Sequence, residues 1–136
     1  MLRNFQRKMI TEVTKGIRIS VITSYQEEFS NPDKLHFIFS YHITIENENE
    51  YAVQLLRRHW YIFDSSGEQS EVEGEGVVGE KPILEPGQIY TYESACNLNT
   101  DLGKMHGTYT MVRQSDGMYF EAVIPEFQLI VPYKLN

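Results

Sequence analysis

One cysteine, five prolines and four histidines in 136 residues leave several kinds of protein out of reach. Cys96 stands alone, so no internal disulfide can form, which suits the reducing cytoplasm expected for this chain. A catalytic thiol needs an activating neighbour, and the sequence names none, so Cys96 reads as a small buried hydrophobe. His36, His42, His59 and His106 are scattered, whereas a structural zinc needs a closed Cys/His set. Only His36 and His42 share a face, so no metal ligand and no cofactor is expected; a weak surface site for cobalt or nickel through imidazoles is the remaining metal reading. No apolar run approaches ~18 residues, so no membrane insertion is expected. Positive charge is also scarce, 12 Lys and Arg against 19 Asp and Glu. Residues 1–15 hold Arg3, Arg7, Lys8 and Lys15 against Glu12, a net of +3, which leaves eight basic against eighteen acidic residues beyond them. So negative a body repels phosphate backbones and argues against nucleic acid as a partner. The basic start lacks the apolar stretch and cleavage site of a targeting segment and reads as a loosely held terminus over 1–15.

Helix signals are missing too, and turn signals take their place. Asn31-Pro32-Asp33, the run Glu46 to Glu50, Ser65-Ser66-Gly67, Glu85-Pro86-Gly87, Asn99-Thr100-Asp101 and Ser115-Asp116-Gly117 punctuate the chain. Between them lie runs rich in Val, Ile, Tyr, Phe and Thr that alternate as half-buried strands do. Ile17, Ile19, Val21 and Tyr25 share one face, and Phe37, Phe39, Tyr41, Ile43 and Ile45 another. Further strands are expected over 51–63, 69–78, 88–96, 105–113, 118–124 and 127–133, and only residues 1–12 suit a short helix. Seven to eight antiparallel strands without an interrupting helix point to one all-β sandwich or barrel. The length fits a single domain over 16–136.

From about Gly16 to Pro132 the chain resembles the ApaG family. The resemblance is carried by Val53-Gln54-Leu55-Leu56-Arg57-Arg58-His59-Trp60, by Glu71-Val72-Glu73-Gly74-Glu75-Gly76-Val77-Val78-Gly79, and by Pro82-Ile83-Leu84-Glu85-Pro86-Gly87. It continues through Tyr90-Thr91-Tyr92-Glu93-Ser94 and Gly103-Lys104-Met105-His106-Gly107-Thr108-Tyr109-Thr110-Met111. The resemblance implies an immunoglobulin/fibronectin type III-like β-sandwich in a bacterial protein associated with cobalt resistance and magnesium efflux. Related domains fused to F-box proteins and to a polymerase-delta-interacting protein imply a recognition module. The family name evokes diadenosine tetraphosphate hydrolysis through a neighbouring gene, but this chain lacks a phosphatase constellation.

Gly74-Glu75-Gly76-Val77-Val78-Gly79 satisfies the G-x-G-x-x-G pattern of dinucleotide-binding folds. That pattern works because a following helix offers its N-terminal amides to pyrophosphate. Pro82 and Pro86 leave no room for such a helix, so the glycines read as places where a strand bends or is closely approached. A backbone nest for a small phosphate-type anion, with Arg57, Arg58, Gly74, Gly76 and Gly79 as its residues, is the competing reading.

Hairpin geometry accounts for the neighbouring charges in another way. If Ser65-Ser66-Gly67 is a three-residue loop with Gly67 left-handed, Asp64 pairs with Glu68. The same register then sets Arg57 against Glu75, His59 against Glu73, Tyr61 against Glu71 and Trp60 against Val72. The charged rows thus read as cross-strand pairs on the solvent face. Trp60 falls on the core face with Leu56 and Ile62, although the doublet Leu55-Leu56 breaks the alternation and suits a bulge. Tyr109, after Gly107, sits where many sandwich domains keep a tyrosine whose hydroxyl ties down a loop. The polar residues all find structural uses, so a non-enzymatic module with a protein partner is expected. The alternative is a sensor for a phosphate-type anion or a divalent metal ion.

Overall fold

The computed structural model describes residues 8–135. Nine strands run through them: β1 Ile10–Thr14, β2 Ile17–Tyr25, β3 Phe37–Asn47, β4 Val53–Asp64, β5 Gln69–Glu75, β6 Ile83–Leu84, β7 Ile89–Leu98, β8 Leu102–Arg113 and β9 Tyr119–Ile130. Only short 3-10 turns interrupt them. Two antiparallel sheets result, ordered β1-β2-β3-β7 and β5-β4-β8-β9, with the two-residue β6 beside β4. They stack as a sandwich because the long strands β2, β3, β4, β8 and β9 each keep one apolar face. In β3 every second residue from Phe37 to Asn47 is buried, and Ile17, Ile19 and Val21 of β2 are buried beside it. The facing sheet contributes Leu55, Trp60, Met105, Tyr109, Met111, Ile124 and Leu129.

The boundaries differ from expectation at several points. Within the segment read as a loose terminus, Ile10–Thr14 forms a strand paired along its length with β2, from Ile10↔Val21 to Thr14↔Ile17. Its turn is Lys15-Gly16, both left-handed (φ 49° and 77°), which lets the chain reverse within two residues. The sheet thus begins before residue 16, and residues 10–12 are strand, not helix; residues 1–7 of the expected loose segment lie outside the described residues. The runs expected at 118–124 and 127–133 form one strand, β9. Pro125 does not stop it because the register against β8 shifts between Met105 and Gly107, setting Pro125 and Glu126 against His106. A proline at a bulge removes no ladder bond. These changes, with β6, raise the count from seven or eight strands to nine.

Candidate functional site

The β4–β5 hairpin closes with the three-residue loop and the register expected of it. Asp64 N–H donates to Glu68 O (2.9 Å), Gly67 N–H to Asp64 O (2.9 Å), and Gly67 has φ 100°. The β4–β5 register runs Arg57↔Glu75, Arg58↔Gly74, His59↔Glu73, Trp60↔Val72 and Tyr61↔Glu71. On the solvent face Arg57 Nη1 lies 3.8 Å from Glu75, and His59 lies between Glu71 (Nε2, 2.8 Å) and Glu73 (Nδ1, 3.3 Å). His59, Tyr61 and His106 stack in a row there, with ring centroids 4.4 and 5.0 Å apart. Trp60 is in the core, 2% exposed, against Tyr41 and the edge of Phe127.

The doublet Leu55-Leu56 is the expected bulge, since the register against β8 shifts between Leu55 and Arg57. It corrects one placement. Leu55, not Leu56, is buried with Trp60, because the extra residue inverts the facing of everything upstream of it.

Arg58 is on the Trp60 face, so its side chain runs inward across Gly74. Its Nη1 donates to the carbonyls of Glu75 and Gly76, each at 3.0 Å. A Cβ on Gly74 would sit 2.8 Å from that nitrogen, so the glycine makes room for the arginine. Gly76 is left-handed (φ 64°), and a Cβ there would collide with the Glu80 carbonyl. The Gly76 amide donates to Leu56 O, while Val77 and Glu80 exchange amide bonds across a tight turn. At the tip of that turn Val78 and Gly79 are both left-handed (φ 48° and 79°), an uncommon state for a β-branched residue. Of the five candidate residues, Arg58, Gly74 and Gly76 therefore meet in one backbone-locking arrangement. Arg57 points away to the opposite face, and Gly79 lies in the turn tip.

Elsewhere in the core the polar groups are also tied. The Tyr109 hydroxyl meets that of Tyr92, linking the two sheets across the core, not fastening a loop as expected. Burial pushes both phenols up. It also pushes the Cys96 thiol up to about 11, helped by the Asp64 charge, which keeps the sulfur protonated near neutrality. Asp64 itself is buried at the end of β4. Burial alone would raise it, but the Thr100 hydroxyl (2.5 Å), the Asn99 amide (2.6 Å) and the Ser66 amide (3.2 Å) donate to it, and the net effect holds it below the usual carboxylate range. The sequence places Asp64 only as the hairpin partner of Glu68, with no buried role. Asn47, which the sequence shows only as part of the turn run Glu46 to Glu50, is fully buried, donates to Tyr51 O and Leu84 O and accepts from the Asn49 amide. Among the described residues no group of three or more His, Cys, Asp or Glu could hold a metal ion. No described helix is long and apolar enough to cross a membrane.

What remains open is one side of the sandwich. On the other side β1 and β9 close the seam, where the Val123 amide donates to Thr14 Oγ1 across the sheets (3.2 Å). Here β5 and β7 end their respective sheets. The hydrogen-bond phase of β7 follows from its neighbours. Gln26 N–H donates to Ile38 O, so even-numbered residues of β3 bond to β2, and Asn47 N–H donates to Gln88 O, so the odd-numbered ones bond to β7. Stepping down the β3–β7 register assigns the even-numbered residues of β7 to β3 and turns the N–H and C=O of Thr91, Glu93 and Ala95 outward. A cleft of about 290 Å³ lies at the lower end of this seam, with Ile62 and Leu98 among its walls and Glu68 at its margin.

The described residues thus make an all-β sandwich whose buried polar side chains hold strands and turns, with one long strand edge uncovered. The chain belongs to the ApaG family: the ApaG domain model matches residues 27–113, which contain all the sequence blocks from Val53 to Met111. It is 48% identical to the protein ApaG of Anaeromyxobacter dehalogenans over 94% of this chain and all of that one. It is 47% identical to the protein ApaG of Pseudomonas paraeruginosa over 93% of this chain and all of that one. The crystal structure of the ApaA protein from Bordetella pertussis is 38% identical, with a TM-score of 0.82 covering 90% of this chain and 95% of that one.

Proposed function

We propose that this domain is a non-enzymatic recognition module that binds another protein through the free edge of β7. One observation carries this reading: ten residues of regular strand, Ile89–Leu98, run without a proline or a lysine and with one sheet neighbour. Exposed edges template pairing with other chains, and proteins usually blunt them with lysine, proline or bulges. β5 carries such devices, a glutamate at Glu71, Glu73 and Glu75 and the Arg58 cap on the Glu75 carbonyl. β7 has only Glu93. A strand added there would gain main-chain bonds from Thr91, Glu93 and Ala95, which is how β-augmentation modules hold peptides.

The small-ligand alternative has less behind it. A nest needs free amides aimed at one point, and those of Gly76, Val77 and Glu80 already have backbone acceptors. On the recognition reading, the association with cobalt and magnesium that the family resemblance implies runs through the captured partner. Affinity purification of tagged protein from its own cells tests the choice. A stoichiometric protein, retained by wild type and lost by a folded Ala95→Pro variant, is the expected result. Bound phosphate or metal in place of a protein would favour the sensor.

A further inference from the structure

We infer that the strand taken up by β7 comes from a partner protein segment in which basic and apolar residues alternate. This rests on the edge reading above and adds the chemistry of the occupant. A strand laid beside β7 continues the β1-β2-β3-β7 sheet, so every second side chain turns inward over the seam with β5. The seam offers Val72, 42% exposed, the half-buried Cys96, and the Ile62 and Leu98 walls of the cleft. Those surfaces suit an apolar side chain or the methylene stem of a lysine or arginine.

The rims of the seam are acidic. Glu71 and Glu73 line the solvent face of β5, Glu93 that of β7, and Glu68 stands at the cleft. Glu71 and Glu73 share His59, Glu68 accepts from the Asn99 side-chain amide, and among the described residues no Lys or Arg forms an ion pair with any of the four. Arg57 and Lys81 both go to Glu75, at 3.8 and 3.2 Å, and Arg58 is held by carbonyls. A second copy of this chain would bring the same carboxylates to the same edge, and like charges across paired strands destabilise. A segment whose apolar residues turn inward over the seam carries its alternating Lys or Arg on the outer face, where they meet Glu93. Electrostatic complementarity of this kind selects partners more than it adds affinity. The plain competing account is that Glu93 merely keeps β7 in solution, as a gatekeeper does.

Two short synthetic peptides separate these accounts, one alternating Lys and Val and the other Glu and Val, titrated into labelled full-length protein and followed by NMR. The Lys–Val peptide should shift the amides of Thr91, Glu93 and Ala95, bind at least about tenfold more tightly than the Glu–Val peptide, and weaken as salt is raised. Ala95→Pro should abolish those shifts, since its N–H has no partner in the sheet and its loss removes no ladder bond. If that variant fails to fold, the double variant Glu68→Lys with Glu93→Lys should reverse the preference. Equal affinity of both peptides at β7 would overturn the basic class while leaving the edge reading standing. Shifts that bypass β7 would overturn both.

Discussion

At the scale of single residues, the structure gives polar and glycine positions roles that patterning alone reveals unevenly. Trp60 was legible because its parity places it with the core face of β4 and opposite Val72, and the register confirms both. Its ring packs between Tyr41 and Phe127 at 2% exposure, so Trp60→Ala should destabilise by about 3–5 kcal/mol, read as a lower denaturant midpoint. Tryptophan emission in the native protein should be blue-shifted; emission equal to that of the unfolded chain would contradict the burial. Asp64 was not legible, since an Asp before Ser-Ser-Gly looks like an ordinary turn residue. Only the fold brings Asn99 and Thr100 of the β7–β8 turn, from more than thirty positions away, to its carboxylate. Because its folded value is depressed, its carboxylate stabilises the protein above the unfolded value near pH 4, and that contribution fades as pH falls through the lower folded value. Asp64→Asn should flatten this acid limb of the stability profile; an unchanged acid limb would contradict the network.

At the scale of elements, the β4–β5 hairpin could be derived to the residue because turn chemistry fixes register. A three-residue loop with a left-handed glycine sets one pair, and period two then sets all the others. Upstream, the same logic failed by one position. Leu55-Leu56 signals a bulge, but sequence does not say which leucine is the extra one, and the structure buries Leu55. The N-terminal strand was missed for a related reason: Ile10–Thr14 carries charge and little apolar surface, and as an edge strand it alternates weakly. Pro125 misled in the opposite direction, since the bulge against β8 lets the strand pass through a residue that usually ends one. The charged rows of the hairpin lie on the solvent face, as the register requires. Arg57 and Glu75 are half or more exposed at 3.8 Å, so a double-mutant cycle should give a coupling below about 1 kcal/mol. A coupling of several kcal/mol would mean that this face is covered by something in solution.

At the scale of the whole molecule, the asymmetry between the two seams organises the account. One seam is closed by β1 against β9; the other leaves β5 and β7 side by side, the first guarded by three glutamates and Arg58, the second by Glu93 alone. The glycine-rich segment that most resembles a ligand loop lies at the top of that open side, and its geometry serves chain reversal and the placing of Arg58. None of this was available from composition, because strand order and hydrogen-bond phase are properties of the assembled sheets. The strand runs themselves announced the sandwich, while the side of it that stays uncovered appears only in three dimensions. Hydrogen exchange on β7 tests the central claim most directly. In the free protein the amides of Thr91, Glu93 and Ala95 should exchange much faster than those of Tyr90, Tyr92 and Ser94, which bond to β3. In the complex captured from cells, those three amides should become protected together. Protection that leaves them fast and appears instead at the 76–80 turn would contradict recognition through the β7 edge.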